Sequence, residues 1–227
     1  MAETFEVKMI ARIHSDFPSK FGIPRQSGLV ENLQSLIVFE PEYRNPQALR
    51  GLEDFSHLWL IWQFSKAVRE DWSPTVRPPK LGGNTRMGVF ATRSPFRPNP
   101  IGLSSVKLEA IEKHPKYGMV LRVSGADLMD GTPILDIKPY LAYTDSHPQA
   151  KGGFTDELHL NPLTVIIPDE WKQKIPQDKL EALIGVLGHD PRPSYQDDPD
   201  RVYGFFFGGM EVCFTVCEHT LTVCEIR

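Results

Sequence analysis

Cysteine is scarce in this sequence and long apolar segments are absent, and each shortage excludes a class of protein. Three cysteines in 227 residues (Cys213, Cys217 and Cys224) are too few, and too irregularly spaced, for a disulfide framework or for paired zinc knuckles. No apolar run approaches the roughly 18 residues of a membrane-spanning helix. The N-terminus lacks a basic head followed by an apolar block, so the sequence predicts no signal peptide. We therefore expect a cytoplasmic protein with no membrane segment and no metal site.

Motifs of several common catalytic folds are also missing. The sequence contains no P-loop of the form G-x-x-x-x-G-K-[ST] and no G-x-S-x-G nucleophile elbow. A doubly wound dinucleotide fold needs helices that alternate with strands, whereas residues 1–145 show almost no helical periodicity. A hydrolase acting on a small amide needs a nucleophile beside a base, and the sequence offers no such pair. Binding of anions or of RNA remains open.

Acidic residues are absent from one long stretch of the chain. The net charge is −4, but residues 1–145 carry 18 Lys and Arg against 16 Asp and Glu, while residues 146–227 carry 7 against 13. No acid lies between Asp71 and Glu109. A local cationic region favours a polyanion whatever the total charge, although an ordinary solvated surface fits the charges equally well. The basic residues of this stretch are Arg77, Lys80, Arg86, Arg93, Arg97 and Lys107.

Short alternating segments divided by glycine- and proline-rich loops predict a mainly β N-terminal domain, residues 1–145. Strands this short and numerous are typical of a β-barrel or a sandwich. The run at 56–64 is nearly all apolar and predicts a strand buried on both faces. The predicted strands are residues 5–13, 33–40, 56–64, 87–92, 103–111, 119–124 and 134–137.

The composition changes near Ser146, and residues 146–227 predict a small α+β domain. Residues 163–168 read as a strand. A helix is predicted with Pro176 at its first position, because apolar residues recur from there at helical spacing and Gly188 suits its C-terminal end. The last segment predicts strands joined by tight turns at Gly208-Gly209 and Glu218-His219.

Three loops display polar residues in a way that suits a ligand. "GVFATRSPFRPNP" (Gly88–Pro100) predicts a strand that ends in a proline-stiffened cationic loop. "DLMDGTPILDIKPY" (Asp127–Tyr140) contains a turn at Asp130-Gly131, which is either a self-bonded turn or a loop holding a small polar ligand. "IPRQSG" (Ile23–Gly28) is a surface turn or a ligand loop. The carboxylates of the second loop lack EF-hand spacing and a histidine partner, which argues against a metal.

Five segments of the chain resemble the TrmO family, also called TsaA-like or YaeB-like, in its bacterial two-domain form. They are "PRQSG", "GLEDFSHLWLIWQF", "RMGVFATRSPFRPNPIGLS", "DLMDGTPILDIKPY" and, in the second domain, "DPRPSY". The resemblance covers nearly the whole chain. It implies a single-sheet β-barrel catalytic domain that works as a homodimer. It also implies methyl transfer from S-adenosylmethionine to N6 of threonylcarbamoyladenosine, next to the anticodon of threonine tRNAs.

The resemblance also implies roles for individual residues. The cofactor contacts match Pro24, Arg25, Gln26, Phe64, Ser65, Arg93, Leu103, Asp127, Leu128, Met129, Asp130, Gly131 and Thr132. Many members have histidine where this chain has Ser65. Asp130 and Asp136 are the candidates to accept the proton of N6. Contacts to the tRNA anticodon loop are expected from Arg77, Lys80, Arg86, Arg97, Arg192 and Tyr195. The alternative is a non-catalytic RNA-binding barrel for which S-adenosylmethionine is only a regulatory ligand.

Overall fold

In its described residues, the N-terminal part of the chain contains eight strands in two sheets. The structure is a computed structural model and describes residues 3–69, 71–78, 85–156, 161–192 and 198–227. The strands are β1 (Ala11–His14), β2 (Gln34–Phe39), β3 (His57–Gln63), β4 (Thr75–Val76), β5 (Met87–Gly88), β6 (Ile101–His114), β7 (Gly118–Ser124) and β8 (Pro133–Pro139). The prediction of a mainly β domain is confirmed.

Six of these strands form one antiparallel sheet that closes on itself as a barrel. Their order is β1-β2-β7-β6-β3-β8, and β8 pairs back with β1, so every strand is paired on both sides. Closure removes the exposed edges that an open sheet would present. In β3 only alternate residues are buried (Leu58, Leu60 and Trp62), so the prediction of burial on both faces is wrong. The inner face carries the core, and the outer face is partly open to solvent.

The strand predicted at 87–92 is much shorter than expected. Only Met87–Gly88 is extended, as β5, and it pairs with β4 in a separate two-stranded hairpin. A 3-10 turn over Val89–Ala91 follows, which buries Val89 and leaves the side chain of Phe90 exposed. The backbone N–H of Val89 bonds to the carbonyl of Pro74, so the chain turns away before a longer ladder forms.

The C-terminal part combines a four-stranded sheet with one long helix. Helix α1 (Ala142–Asp145) follows β8, and Asp145 accepts a hydrogen bond from the indole N–H of Trp59 in β3 (2.9 Å). The elements of the C-terminal part are β9 (Thr164–Ile166), α2 (Asp169–Lys172), α3 (Gln177–Gly188), β10 (Tyr203–Phe207), β11 (Met210–Cys217) and β12 (Thr220–Ile226). The strand order is β10-β11-β12-β9, with β9 parallel to β12. Both predicted tight turns join these strands. Within the described part of the chain, no helix is long and apolar enough to cross a membrane.

The loop between β1 and β2 belongs to the core of the C-terminal sheet. Phe17, Val30 and Leu33 are buried in the cluster formed by α3 and strands β10–β12. An ion pair supports this contact, since Lys179 Nζ lies 2.7 Å from a carboxylate oxygen of Asp16. The two cores are therefore joined through residues 16–33. The boundary after residue 145 stays a prediction.

Candidate functional site

A half-buried carboxylate lies at the end of a hydrogen-bond chain that starts inside the closed sheet. The indole N–H of Trp62 donates to Ser104 Oγ (3.0 Å), and the Ser104 hydroxyl donates to Asp127 Oδ1 (2.6 Å). Strand alternation places Trp62 and Ser104 on the inner face, where both are buried. Burial raises the pKa of Asp127, and the hydrogen bond from Ser104 opposes that rise in pKa.

The loop containing Gln26 borders this carboxylate. The backbone N–H of Ser27 donates to Asp127, and the N–H of Gly28 bonds to the carbonyl of Gly125 (2.9 Å). The guanidinium of the exposed Arg93 donates to Oε1 of Gln26, and its positive charge acts on Asp127. Three residues predicted from distant parts of the sequence, Gln26, Arg93 and Asp127, therefore lie together. Of their neighbours in the first loop, Pro24 is buried and Arg25 is exposed.

Phe64 extends the site from the end of β3. Its ring packs edge-on against Trp62, with centroids 4.2 Å apart. Its backbone N–H bonds to the carbonyl of Pro100 (2.8 Å), which ties the end of β3 to the proline-rich loop. Ser65 follows with an exposed side chain. The arrangement presents one aromatic surface next to the Asp127 network.

The loop from Asp127 to Thr132 is fastened to the end of β1. Ser15 Oγ donates to the carbonyl of Leu128 (2.8 Å), and the N–H of Ser15 donates to Asp130 Oδ1 (3.1 Å). His14 Nδ1 lies 3.3 Å from the same carboxylate oxygen of Asp130. Leu128 and Thr132 are buried, so their proposed contacts with a ligand stay predictions. Met129 is partly exposed, and Gly131 provides the positive φ (75°) that the turn requires.

Leu103 and Asp136 lie on the opposite, outer face of the closed sheet. Both residues pair in register with Ile61, so they flank it on neighbouring strands. Leu103 is 53% exposed, while Asp136 forms an ion pair with Lys138 (2.8 Å). The structure does not bring them to the Ser104–Asp127 bond. Their roles as cofactor contact and proton acceptor stay predictions.

Some of the side chains predicted to contact RNA are exposed, whereas others already form hydrogen bonds within the protein. Arg77 and Arg86 are exposed just beyond the paired residues of β4 and β5. Arg97 Nη1 donates to the carbonyl of Thr92 (3.1 Å), so this arginine holds the proline-rich loop. Arg192 is only 9% exposed and makes two hydrogen bonds of 2.9 Å to Asp190. Lys80 and Tyr195 lie outside the described residues.

Sequence reasoning missed Ser104, Trp62 and Ser27. Ser104 had a usable signal, because it is the one polar residue among the inward positions 102, 104 and 106 of β6. A lone inward hydroxyl needs a buried partner. Ser27 acts through its backbone N–H, which no side-chain motif reveals.

Gly102→Ala tests whether this hydrogen-bond chain holds the site. A Cβ at Gly102 would lie 2.2 Å from Cε2 of the Trp62 indole, and no positive φ complicates the change. Because overpacking costs about 1–3 kcal/mol, the melting temperature should fall by about 2–12 °C in a chain of this length. We expect ligand affinity at the site to fall as well, as Trp62 shifts and releases Ser104.

The matched control for Gly102→Ala is Gly88→Ala, where a Cβ meets no atom within 4 Å. Thermal melts and titration calorimetry with S-adenosylmethionine on both variants measure stability and affinity separately. A destabilised Gly102→Ala protein with unchanged affinity would contradict the role of the chain from Trp62 to Asp127.

A closed antiparallel sheet carrying a half-buried carboxylate beside an arginine defines a β-rich small-molecule-binding protein with an appended α+β part. Residues 12–146 match the family model described as the tRNA-methyltransferase O N-terminal domain. Residues 161–227 match the TrmO C-terminal domain. The chain belongs to the TrmO family.

Two relatives and one solved structure illustrate the similarity. The tRNA (adenine(37)-N6)-methyltransferase of Escherichia coli (strain K12) is 39% identical over 95% of this chain and 94% of its own length. The enzyme of the same name from Eikenella corrodens is 48% identical over 71% of this chain and 91% of its own. A crystal structure of TrmO from Pseudomonas aeruginosa superposes with a TM-score of 0.81 at 34% identity, covering 100% of this chain and 98% of the other.

Proposed function

We propose that this protein transfers the methyl group of S-adenosylmethionine to N6 of adenine 37 in tRNA. Two relatives are named as tRNA (adenine(37)-N6)-methyltransferases, and a third is named as a putative S-adenosylmethionine-dependent methyltransferase. We further propose that the acceptor is threonylcarbamoyladenosine in threonine tRNAs. The observation that carries the proposal is the grouping of Gln26, Arg93 and Asp127 at one point of the closed sheet. All three match positions at which the TrmO family is expected to hold its cofactor.

The donor set at this point fits S-adenosylmethionine. The Asp127 carboxylate can accept hydrogen bonds from ribose hydroxyls or from the ammonium group. The Arg93 guanidinium can take the methionine carboxylate in a two-point hydrogen bond, with Gln26 fixing its direction. Phe64 and Met129 offer partly exposed apolar surface for adenine. When bound, the cofactor supplies a methyl group on a sulfonium, which is already an activated leaving group.

The contribution of the chain to the reaction is positioning and acceptance of a proton. Methyl transfer needs nucleophile, carbon and sulfur in line, so rigid loops that fix both partners are the main catalytic lever. The N6–H is acidified by the neighbouring carbamoyl group, and a carboxylate need accept its proton only late. Asp130 is the first candidate, because Ser15 and His14 hold its carboxylate at the edge of the loop. Asp136 on the outer face is the second.

The proposal includes tRNA as substrate and a homodimer as the working form. Arg77 and Arg86 are exposed on the hairpin and are proposed to contact phosphates. Ile101 and Leu103 expose apolar surface on the outer face of β6, which offers a second copy an area to cover. Both features support the proposal, and each is testable apart from the chemistry.

The deciding experiment is mass spectrometry of tRNA nucleosides after incubation with the protein and S-adenosylmethionine. Two matched tRNA substrates are needed, one with threonylcarbamoyladenosine and one with plain adenosine at position 37. We expect methylation only of the tRNA that carries threonylcarbamoyladenosine. Methylation of both tRNAs would support the methyltransferase activity but contradict the proposed acceptor. Binding of cofactor and tRNA without any methylated product would favour the regulatory RNA-binding alternative.

Removing two exposed arginines should weaken tRNA binding and its salt dependence. Arg77→Gln combined with Arg86→Gln is expected to lower the slope of log affinity against log salt by about 0.7 to 0.9 for each lost phosphate contact. Arg97 is left intact because it holds the backbone of its own loop. Affinity measured across a salt series gives the slope.

The control for this pair is Arg50→Gln with Lys151→Gln, which removes the same charge from exposed positions outside the acid-free stretch. Equal slopes for both double variants would mean that only the net charge matters. That result would contradict a phosphate-binding role for the hairpin.

A further inference from the structure

A cleft opens between the segment that follows β3 and the proline-rich loop. Its cavity has a volume of about 340 Å³. Sites for small molecules usually enclose about 300–1,000 Å³, so this cleft suits a ligand the size of one nucleotide and excludes an RNA helix. One wall of the cleft contains Arg69, Asp71 and Trp72, and the other contains Phe96 and Arg97.

Aromatic rings are exposed at this cleft and beside it. Trp72 is 51% exposed and Phe90 is 73% exposed, and their ring centroids lie 6.1 Å apart at an angle of 33°. Inside the cleft, the guanidinium of Arg69 lies 3.9 Å from the centroid of the Phe96 ring. Exposed apolar surface concentrated in this way marks a site of interaction. Flat rings beside a guanidinium plane indicate a flat, electron-rich partner.

The charges around the cleft select a nucleic acid. Residues 72–108 contain no Asp or Glu, and Arg77 and Arg86 are exposed on the hairpin that lies between Trp72 and Phe90 in the chain. Unstacked RNA bases bind to aromatic faces and arginine planes, and their phosphates bind to nearby cations. The carboxylate of Asp71 lines the cavity, where it would repel a phosphate but accept hydrogen bonds from base N–H groups. The base of the nucleotide therefore fits in the cleft, and its phosphate fits beside Arg77 and Arg86.

The two segments that form the cleft also contribute residues to the candidate cofactor site. The N–H of Phe64 bonds to the carbonyl of Pro100, which joins the start of the segment after β3 to the end of the proline-rich loop. Arg93, which bonds to Gln26, lies four residues before Arg97 in the same loop. We propose that the cleft binds one single-stranded nucleotide next to the methylated one, with its base stacked on Trp72 and Phe96. This inference rests on the proposed function, because it takes RNA as the substrate.

The test uses an anticodon stem-loop RNA, the same sequence as a perfect duplex, and the full-length protein. Trp72→Ala and Phe96→Ala should each weaken stem-loop binding about tenfold or more, because base–aromatic stacking contributes that much per base. Trp72→Phe keeps a ring and should bind within about threefold of the unmodified protein. Tyr143→Ala removes an 88% exposed aromatic side chain elsewhere and should change nothing. Duplex RNA should bind more weakly than the stem-loop.

Parallel measurements separate this inference from the proposed function. Affinity for S-adenosylmethionine should be the same in all four variants, and sedimentation should give the same mass. Unchanged stem-loop affinity in both alanine variants would overturn the cleft while leaving methyl transfer intact. A change of mass on Trp72→Ala would overturn it too, because a second copy would then cover the cleft. If RNA binding depended on Trp72 but no methyl group were transferred, nucleotide binding in the cleft would be supported and the proposed reaction would be contradicted.

Discussion

Replacing Asp127 by asparagine should cost most of the affinity for S-adenosylmethionine. The carboxylate accepts hydrogen bonds from Ser104 and Ser27, and its negative charge lies next to Arg93. A hydrogen bond to a charged group contributes about 1.5–3 kcal/mol, so its loss should weaken binding about ten- to a hundredfold. Titration calorimetry with S-adenosylmethionine measures this directly. The Ser104→Ala variant should show a smaller loss, because the carboxylate itself remains.

The same substitution should change how stability depends on pH. Burial raises the pKa of Asp127 above the ordinary value of about 3.9, so the folded state resists ionisation of this carboxylate. The protein without cofactor therefore loses stability as the pH rises from the ordinary pKa through the raised one. The amide side chain of the Asp127→Asn variant is neutral throughout and avoids this loss. We expect the melting temperature of the variant, relative to the unsubstituted protein, to rise between acidic and neutral pH.

Two comparisons make the Asp127 prediction specific. Asp54→Asn changes an exposed carboxylate in the same part of the chain and should leave cofactor affinity as it is. A variant of Asp127 that binds cofactor normally would remove this residue from the site. If the melting temperatures of Asp127→Asn and of the unsubstituted protein changed in parallel with pH, ionisation of Asp127 would not destabilise the folded state.

Local patterns predicted much of the fold because they act over short distances. The short apolar segments of β2, β3 and β7 and the helical spacing in α3 are complete within single segments. The tight turns before β11 and β12 depend on neighbouring residues only. The helix begins at Gln177, since Pro176 itself lies at the N-cap with extended backbone.

These local patterns could not predict features that depend on pairing or packing between distant segments of the chain. Closure of the sheet requires β8 to pair with β1, although more than a hundred residues separate them. The loop around Phe17 and Val30 looked like a glycine- and proline-rich surface loop, but its apolar side chains fill the core of another sheet. The inward position of Ser104 indicates a buried partner, but only the fold identifies Asp127 as that partner.

The candidate site was likewise predicted in part from the sequence, and the rest depends on the pairing of distant strands. The resemblance to the TrmO family identified Gln26, Arg93 and Asp127 by position, and the fold brings these residues together. Spacing alone did not separate Asp127, which is held from inside the sheet, from Asp136, which faces outward beside Lys138. Which face of a strand a residue occupies depends on register, and register is set by pairing with other strands.

The largest structural effect should come from Gly22→Ala, in the loop that joins the two cores. Gly22 has a φ of 89°, and a Cβ there would lie 2.3 Å from Cδ2 of Phe205. Phe205 is 3% exposed and packs against Phe21 and Phe214, so its ring has no room to yield. Overpacking costs about 1–3 kcal/mol and the positive φ about 1–2 more, which together should lower the melting temperature by about 4–20 °C.

Gly51→Ala separates the two causes. Gly51 has nearly the same φ (84°), but no atom lies within 4 Å of the position of its Cβ. It should therefore show only the backbone cost of about 1–2 kcal/mol. Because Pro24 to Gln26 begin only two residues after Gly22, we expect the clash to move this loop and to weaken cofactor binding in Gly22→Ala alone.

A second substitution shows whether the C-terminal sheet controls the cofactor loop. Phe205→Ala removes Cγ and the ring atoms that Gly22→Ala would meet, so the double variant should regain cofactor affinity relative to Gly22→Ala while remaining less stable than the unsubstituted protein. Residues in contact usually show coupling of about 0.5–3 kcal/mol in such a cycle. Additive losses of affinity would mean that the loop is positioned by the closed sheet alone. Coupling would make the C-terminal sheet the support on which the Gln26 loop is positioned.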